Sequence, residues 1–311
     1  MKKVNVLLSV FNGEKYIRQQ LESLLNQSYH NIDIYVHDDG SADGTMEIVK
    51  EYIGWNSDGI RVLLMDLPQK LGYPSCFVDM LSDCPAADYY AFSDQDDVWK
   101  ADKIERAVSA LEGYDNIPAL YYGAVDYCDA NLQFVRKSRF ADPKEACAKM
   151  SLQQMIIGGE AMGMTFCFND TAKNALVKSK QHTNQFKDLF LKIYCASCGC
   201  VIYDSKSVAY YRRHESAVTN GTNPSGKIAR YVGEIKNIFF GKEMGDHLRQ
   251  IANYILQEEY KLIGDKEMII LKSFAEITLA NQIKKFLCPH RYRKKMPDEI
   301  GYRLAFLLCK I

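Results

Sequence analysis

Between residues 4 and 111, short apolar runs alternate with stretches whose apolar residues recur every three or four positions. Residues 4–10 form a run suited to a strand buried on both faces. After the Asn12-Gly13 turn, Ile17, Leu21, Leu24 and Leu25 fall at i, i+4, i+7 and i+8, the stripe of an amphipathic helix. Residues 32–37 make a second strand, ended by Asp38-Asp39-Gly40-Ser41. Asp43 can cap the next helix, whose buried stripe is Ile48, Val49, Tyr52 and Ile53. A third strand at 61–65 leads to Pro74, placed for the first turn of a helix carrying Phe77, Met80 and Leu81. A fourth strand at 88–92 precedes a helix with Ile104, Ala107, Val108 and Leu111 on one face. This order predicts an α/β fold, a mostly parallel central sheet flanked by helices. Ligands of such sheets bind beyond the carboxyl ends of the strands. Four loops are therefore singled out before any motif is considered: 11–14, 38–43, 68–74 and 93–99.

Beyond residue 118 the pattern loosens. Residues 119–122 and 164–168 predict strands of a mixed sheet, and 189–196 a buried helix. Short strands at 201–203 and 208–211 lead into Arg212-Arg213-His214. Asn220-Gly221-Thr222-Asn223-Pro224-Ser225-Gly226 reads as a linker and sets a domain boundary near 220. Amphipathic stretches at 251–262 and 268–286 follow. The expected organisation is an α/β domain over 1–220 and a C-terminal helical region over 221–311.

Charge narrows the function. The 311 residues hold 39 Lys and Arg against 39 Asp and Glu, and a neutral chain is a poor match for a dedicated nucleic-acid binder. Residues 1–214 carry 23 basic and 28 acidic residues, whereas 215–311 carry 16 and 11. The run after Lys3 is too short for a secretory leader, and no apolar stretch approaches a membrane span. Ten scattered cysteines fit buried free thiols in a reducing compartment, so the expectation is a cytoplasmic protein.

The sharpest local feature is Ser93-Asp94-Gln95-Asp96-Asp97-Val98-Trp99, directly after the fourth strand. Three carboxylates in four residues repel one another unless a cation or a polyol neutralises them. Hard ions such as Mg²⁺ or Mn²⁺ take oxygen ligands and bridge to phosphate. A solvated acidic turn is the plain alternative, and the apolar residues bracketing the cluster weigh against it. The second acidic loop, at Asp38-Asp39, can accept bonds from a base N–H or a ribose hydroxyl, or can simply serve turn and cap.

Taken together, these residues resemble family 2 glycosyltransferases with the GT-A fold. The resemblance rests on Val10-Phe11-Asn12-Gly13-Glu14-Lys15-Tyr16-Ile17, Gln27-Ser28-Tyr29, Asp38-Asp39-Gly40-Ser41-Ala42-Asp43-Gly44-Thr45, Asp94-Gln95-Asp96-Asp97 and Tyr211-Arg212-Arg213-His214 before Asn220-Gly221. It spans about 1–221, with the motifs in family order. It implies a nucleotide-diphosphate sugar donor, bound by Val10, Phe11, Asn12, Glu14, Asp39, Lys70, Gly72, Asp94 and Gln95. Pro74-Ser75-Cys76-Phe77 stands where the family often has an Asn. The resemblance makes Asp94 and Asp96 the DxD pair and assigns Asp94, Asp96 and His214 to a Mg²⁺ or Mn²⁺ ion.

Inversion at an anomeric carbon needs a base facing the acceptor hydroxyl. In the family this is an Asp about 90 residues after the DxD pair, which implies Asp188, here preceded by Lys187 where His or Glu is commoner. Asp188 would also suit the start of a helix by charge alone. Residues 158–165 resemble the acceptor loop, implying Glu160, Thr165 and Lys187 as acceptor contacts. Cys195-Ala196-Ser197-Cys198-Gly199-Cys200 contains a CxxC but lacks a second ligand pair, and reads as core thiols.

The resemblance is greatest to rhamnosyltransferase-like enzymes of bacterial surface polysaccharides, which implies a saccharide or polyprenyl-lipid-linked acceptor. UDP-galactose or UDP-glucose as donor, and a non-catalytic sugar-nucleotide-binding subunit, are the alternatives. Residues 283–311 hold eight basic residues against Asp298 and Glu299. The basic, aromatic-laced segment 284–295 can lie on an anionic membrane face. It would serve equally as an oligomer contact or a solvated helix end.

Overall fold

The computed structural model describes residues 1–138, 147–157, 161–183, 186–214, 242–276, 278–288, 299–300, 303–304 and 306. In chain order the strands are β1 (Val4–Val10), β2 (Ile32–Asp38), β3 (Asn56–Ser57), β4 (Ile60–Leu64), β5 (Tyr89–Ser93), β6 (Val98–Trp99), β7 (Ala119–Cys128), β8 (Phe134–Lys137), β9 (Ala148–Lys149), β10 (Cys167–Asn169) and β11 (Cys200–Arg212). Helices α1 (Ile17–Leu25), α2 (Thr45–Lys50), α3 (Ser75–Asp83), α4 (Lys103–Leu111), α5 (Leu152–Ile157), α6 (Asp170–Lys178), α7 (Lys180–Thr183) and α8 (Lys187–Cys198) connect them.

The sheet runs β3-β4-β2-β1-β5-β10-β7-β11-β6, with β8 on β7 and β9 on β11. The segment β4-β2-β1-β5 is parallel throughout, and β10 enters antiparallel between β5 and β7. Register sets the site. Val10 stands opposite Asp38 and Leu8 opposite Ser93, so β1, β2 and β5 end near one edge and their loops leave side by side.

Alternation along β1 divides the core. Val6 and Leu8 face a cluster with Ile17, Leu21, Leu24, Ile104 and Val108 of α1 and α4. Leu7 faces the other side, with Phe77, Phe92, Phe168 and Phe190. That second cluster continues into Leu248, Ile251 and Ile255 of the helix Lys242–Glu258, which buries its apolar stripe there. Helices Asp265–Ala275 and Leu279–Leu287 follow it.

Several expectations need correction. Residues 164–168 do not form one strand; a 3-10 turn at Gly163–Thr165 precedes β10, because Thr165 N–H closes on Met162 O at 2.9 Å. The two strands expected at 201–203 and 208–211 are one, β11, bent by a register shift between Asp204 and Ala209. Helix α2 stops at Lys50 and fully buries only Val49 of its expected stripe. The stretch 251–262 ends its helix at Glu258, and 268–286 is broken after Ala275, with Thr278 capping the second piece through Asn281 N–H at 3.1 Å. The linker at 220–226 lies outside the described residues.

The nine described cysteines are all free, and all but Cys147 and Cys288 are buried. Burial pushes the Cys195 thiol well up and Cys198 to about 12. The CxxC segment is therefore made of protonated core thiols.

Phe92 joins the site-bearing strand to helix α3 and to the adjacent strand β10, its ring 5.1 Å from both Phe77 and Phe168. Phe92→Ala is expected to cost about 3–5 kcal/mol in urea unfolding, the usual range for deleting a buried phenyl ring. A loss below ~1 kcal/mol would mean that this face repacks around the gap.

Candidate active site

The loops beyond β1, β2, β4 and β5 enclose a cleft of about 920 Å³. They are stitched together by side chains that bond the backbone of the neighbouring loop. Gln95 holds Phe11 at two points, accepting its N–H and donating to its carbonyl, each at 2.8 Å. Asn12 Oδ1 accepts from Ala42 N–H at 2.8 Å, and Glu14 Oε2 from Gly44 N–H at 2.9 Å. Asp39 spends both oxygens on the loop after β4, accepting from Leu71 N–H at 2.7 Å and Gly72 N–H at 3.0 Å. Lys70 and Gly72 have φ of +64° and +76°, so that loop is held in a conformation costly to maintain without such anchors. Gly13 lets Gln95 approach, since a Cβ there would fall 2.3 Å from its Oε1.

A second group closes the other side. Asp96 Oδ2 lies 2.8 Å from His214 Nε2, 118 residues away. Arg212, at the end of β11, brings them together. Its N–H bonds Asp97 Oδ1 at 3.0 Å, its Nε bonds Asp96 O at 2.8 Å, and its guanidinium stacks 4.5 Å from the Tyr16 ring centre. Asp97 is buried, and among the described residues its Oδ2 has no hydrogen-bond partner. Burial, reinforced by Asp96 and Asp94, pushes its carboxyl well above the usual range. Burial likewise raises Asp94 to about 7, with the Asp96 charge acting the same way. Lys103 sits beneath, fully buried, donating to Met164 O at 2.6 Å with its ammonium 3.0 Å from the Trp99 ring centre. Burial holds it well below the usual lysine range.

Asp188 opens α8, half-buried, beside this group. Its Oδ1 meets Lys187 Nζ at 2.7 Å and its Oδ2 accepts Gly163 N–H at 3.1 Å. Its charge contributes to the elevation of Asp94. A Cβ on Gly163 would lie 2.6 Å from both Asp188 oxygens, so only glycine leaves that carboxylate where it is.

Of the residues singled out from sequence, Phe11, Asn12, Glu14, Asp39, Lys70, Gly72, Asp94, Gln95, Asp96 and His214 line the cleft. Val10 does not. It is fully buried in β1 and contributes only its carbonyl, which accepts from Asp39 N–H at 2.9 Å. Thr165 is buried with its hydroxyl given to Met162 O at 2.7 Å, and Lys187 is 2% exposed among the Phe77 and Phe92 rings. Neither side chain faces the cleft as an acceptor contact would. Glu160 lies outside the described residues. Arg212, Asp97, Gly163, Lys103 and the cleft-lining Tyr73 were not assigned roles from sequence, although all but Lys103 fall within motifs or loops singled out there.

The profile of glycosyl transferase family 2 matches residues 5–212. The chain belongs to that family. It is similar to dTDP-rhamnosyl transferase RfbG of Shigella flexneri, at 28% identity over 268 residues covering 81% of this chain and 86% of RfbG. The putative glycosyltransferase EpsE of Bacillus subtilis (strain 168) is 33% identical over 113 residues, 35% of this chain and 38% of EpsE. Residues 1–349 of S. aureus TarS in complex with UDP-GlcNAc share the fold, with a TM-score of 0.58 at 19% identity over 97% of this chain and 79% of that one. The architecture is accordingly the GT-A fold, with helices appended at the C-terminus.

In a family 2 transferase the donor set can be tested for a cation. Among the described residues no three His, Cys, Asp or Glu side chains converge to hold a metal alone. Asp96 and His214 offer a carboxylate and an imidazole at one point, with the elevated Asp94 beside them. That set suits an ion completed by phosphate oxygens and water, as Mg²⁺ and Mn²⁺ sites commonly are. The residues fit such an ion only together with a phosphate-bearing ligand.

Replacing Asp39 by Ala removes both acceptors that hold the Leu71-Gly72 backbone. Binding of a nucleoside diphosphate, measured by calorimetry, should weaken about 10- to 100-fold, the worth of one or two bonds to a charged acceptor. Undiminished affinity would place the nucleotide away from this loop.

Proposed function

We propose that this chain is an inverting, divalent-metal-dependent glycosyltransferase. It moves a deoxyhexose, rhamnose in the leading reading, from a dTDP-linked donor to a saccharide or polyprenyl-lipid-linked acceptor. The carrying observation is the Asp96–His214 pair lining, with Asp94, a cleft whose loops are already tied in place, while the Asp188 charge acts on Asp94 from beside it. The donor assignment is supported by the likeness to RfbG along 81% of the chain. UDP-linked sugars are the competing donors, because a shared fold does not fix the sugar.

The chain's own residues divide the work. The loops carrying Phe11, Asn12, Glu14 and Asp39 hold the nucleoside, and the 70–72 backbone closes over it. Asp94, Asp96 and His214 face the diphosphate. A bound divalent cation would neutralise the negative charge that builds on the departing diphosphate. Asp188 takes the proton from the acceptor hydroxyl as that oxygen bonds the anomeric carbon and the glycosyl–phosphate bond breaks. The Gly163 amide and the Lys187 Nζ hold its carboxylate in orientation for that purpose.

The donor is tested by titrating dTDP-, UDP- and GDP-linked sugars into the protein with Mg²⁺ or Mn²⁺. Tightest binding is expected for dTDP-rhamnose, with loss on chelation; a clear preference for a UDP-sugar would overturn the donor reading. Asp96→Ala should remove the stimulation of donor binding by metal. Asp188→Asn should leave donor affinity unchanged while transfer falls about 10²- to 10⁴-fold, the contribution of a positioned base. Transfer retained in that variant would put the base elsewhere.

A further inference from the structure

Helix Leu279–Leu287 buries its polar side and exposes its apolar one. Inward it carries Gln282 and Lys285, 0% and 3% exposed, with the Lys285 ammonium 4.5 Å from the Phe274 ring centre and 5.2 Å from that of Phe306. Outward it carries Leu279, Ile283 and Leu287, 73%, 42% and 67% exposed. These three fall at i, i+4 and i+8, one continuous stripe, with Ala280 exposed on the same side and Lys284 at its margin. A helix on a wetted protein surface normally shows the reverse arrangement. Arg303 donates to Phe286 O and Cys288 O, so it meets the end of this helix, and its near neighbours Ile300 and Leu304 are also exposed apolar residues.

We propose that this face rests on an anionic lipid bilayer. The helix lies in the plane of the membrane, with Leu279, Ile283 and Leu287 in the boundary between headgroups and acyl chains and Lys284 among the headgroups. The occupant follows from charge. Residues 283–311 bring eight Lys and Arg against two acids; with Lys285 buried and Arg303 paired to Glu299, six Lys and Arg of the sequence remain against Asp298, so the apolar stripe lies within the most basic part of the chain. Anionic lipid complements that charge. A second copy packed symmetrically on the same stripe would bring two such basic segments together, which like-charge repulsion disfavours. No helix among the described residues is long and apolar enough to cross a membrane, so the contact is one of lying on the surface. Lys285, expected from sequence to face the lipid, is instead buried against aromatic rings. The remaining cations expected there, Arg291 to Lys295, lie outside the described residues. The proposal rests on this surface and not on the transfer reaction.

The test is flotation of the full chain with vesicles of phosphatidylcholine alone or mixed with phosphatidylglycerol. Binding is expected to the mixed vesicles only, and to weaken as salt is raised. The triple variant Leu279→Ser, Ile283→Ser, Leu287→Ser should bind at least about tenfold more weakly while keeping its circular dichroism spectrum and its nucleotide affinity. Lys284→Gln, exposed and free of any packing role, should cost about fivefold, the effect of one surface cation. Wild-type binding by the triple variant, or no preference for the anionic vesicles, overturns the proposal. So does a dimer in sedimentation equilibrium that the triple variant dissociates, since that outcome assigns the face to a second copy.

Discussion

The parallel pairing of β1 with β2 on one side and β5 on the other is the constraint from which the site follows. A strand hydrogen-bonded on both edges and covered on both faces has almost no freedom in register, because a one-residue slip would turn Val6 and Leu8 toward the wrong core. With register settled, Val10, Asp38 and Ser93 fall near one edge, and the loops that follow must share the space above it. Gln95 can then pair with the Phe11 backbone, Asn12 with Ala42, and Asp39 with Leu71 and Gly72. Sheet geometry brings these loops within reach, and the polar side chains convert reach into fixed shape. A cleft built this way meets its ligand with little reorganisation left to do.

The same edge gathers charge that the fold would otherwise avoid. Burial disfavours the charged form of Asp97, Asp94 and Lys103 alike, driving the carboxyls up and the ammonium down, and the attraction between Lys103 and the two acids offsets only part of it. Arg212 offsets part of this by donating its backbone N–H to Asp97 and its guanidinium to the Asp96 carbonyl. The cluster therefore has two balanced conditions: partly neutral by proton uptake, or ionised against incoming positive charge. Structural ion pairs on the same protein behave differently. Asp33 between Lys3 and Arg61, and Asp204 against Arg106, have their carboxylates matched by cations of the chain itself.

Legibility in the sequence tracked the range of the interactions. Strands β1, β2, β4 and β5 and helices α1, α3 and α4 announce themselves through period and turn residues within a few positions, and their expected places agree with the structure to a residue or two. The acidic motif was equally local. What escaped notice depends on partners far along the chain. The continuity of β11 comes from its long parallel pairing with β7, which holds it across the irregularity at Asp204. The burial of Lys187 is decided by Phe77 and Phe92, on α3 and β5, which no spacing near residue 187 reveals. Gly163 lies in the stretch that resembles the acceptor loop, and its real constraint is not visible there because the Asp188 carboxylate is 25 residues away.

These two kinds of element meet within the cleft and give it an asymmetry. The side proposed for the nucleotide is made of loops between consecutive units of the parallel sheet, bonded to one another over 29 to 33 residues where they join the 11–14, 39–44 and 71–72 stretches. The side that carries Asp96, His214 and Asp188 is assembled from the loop after β5, the end of β11 and the start of α8. Its key contact spans 118 residues. Local loops can vary in their base and sugar contacts while the sheet holds their stems. The distant half tolerates less, because moving β11 or α8 would displace the acid–histidine pair or the Asp188 carboxylate together with part of the core. A fold divided in this way can change the donor it accepts more readily than the chemistry it performs.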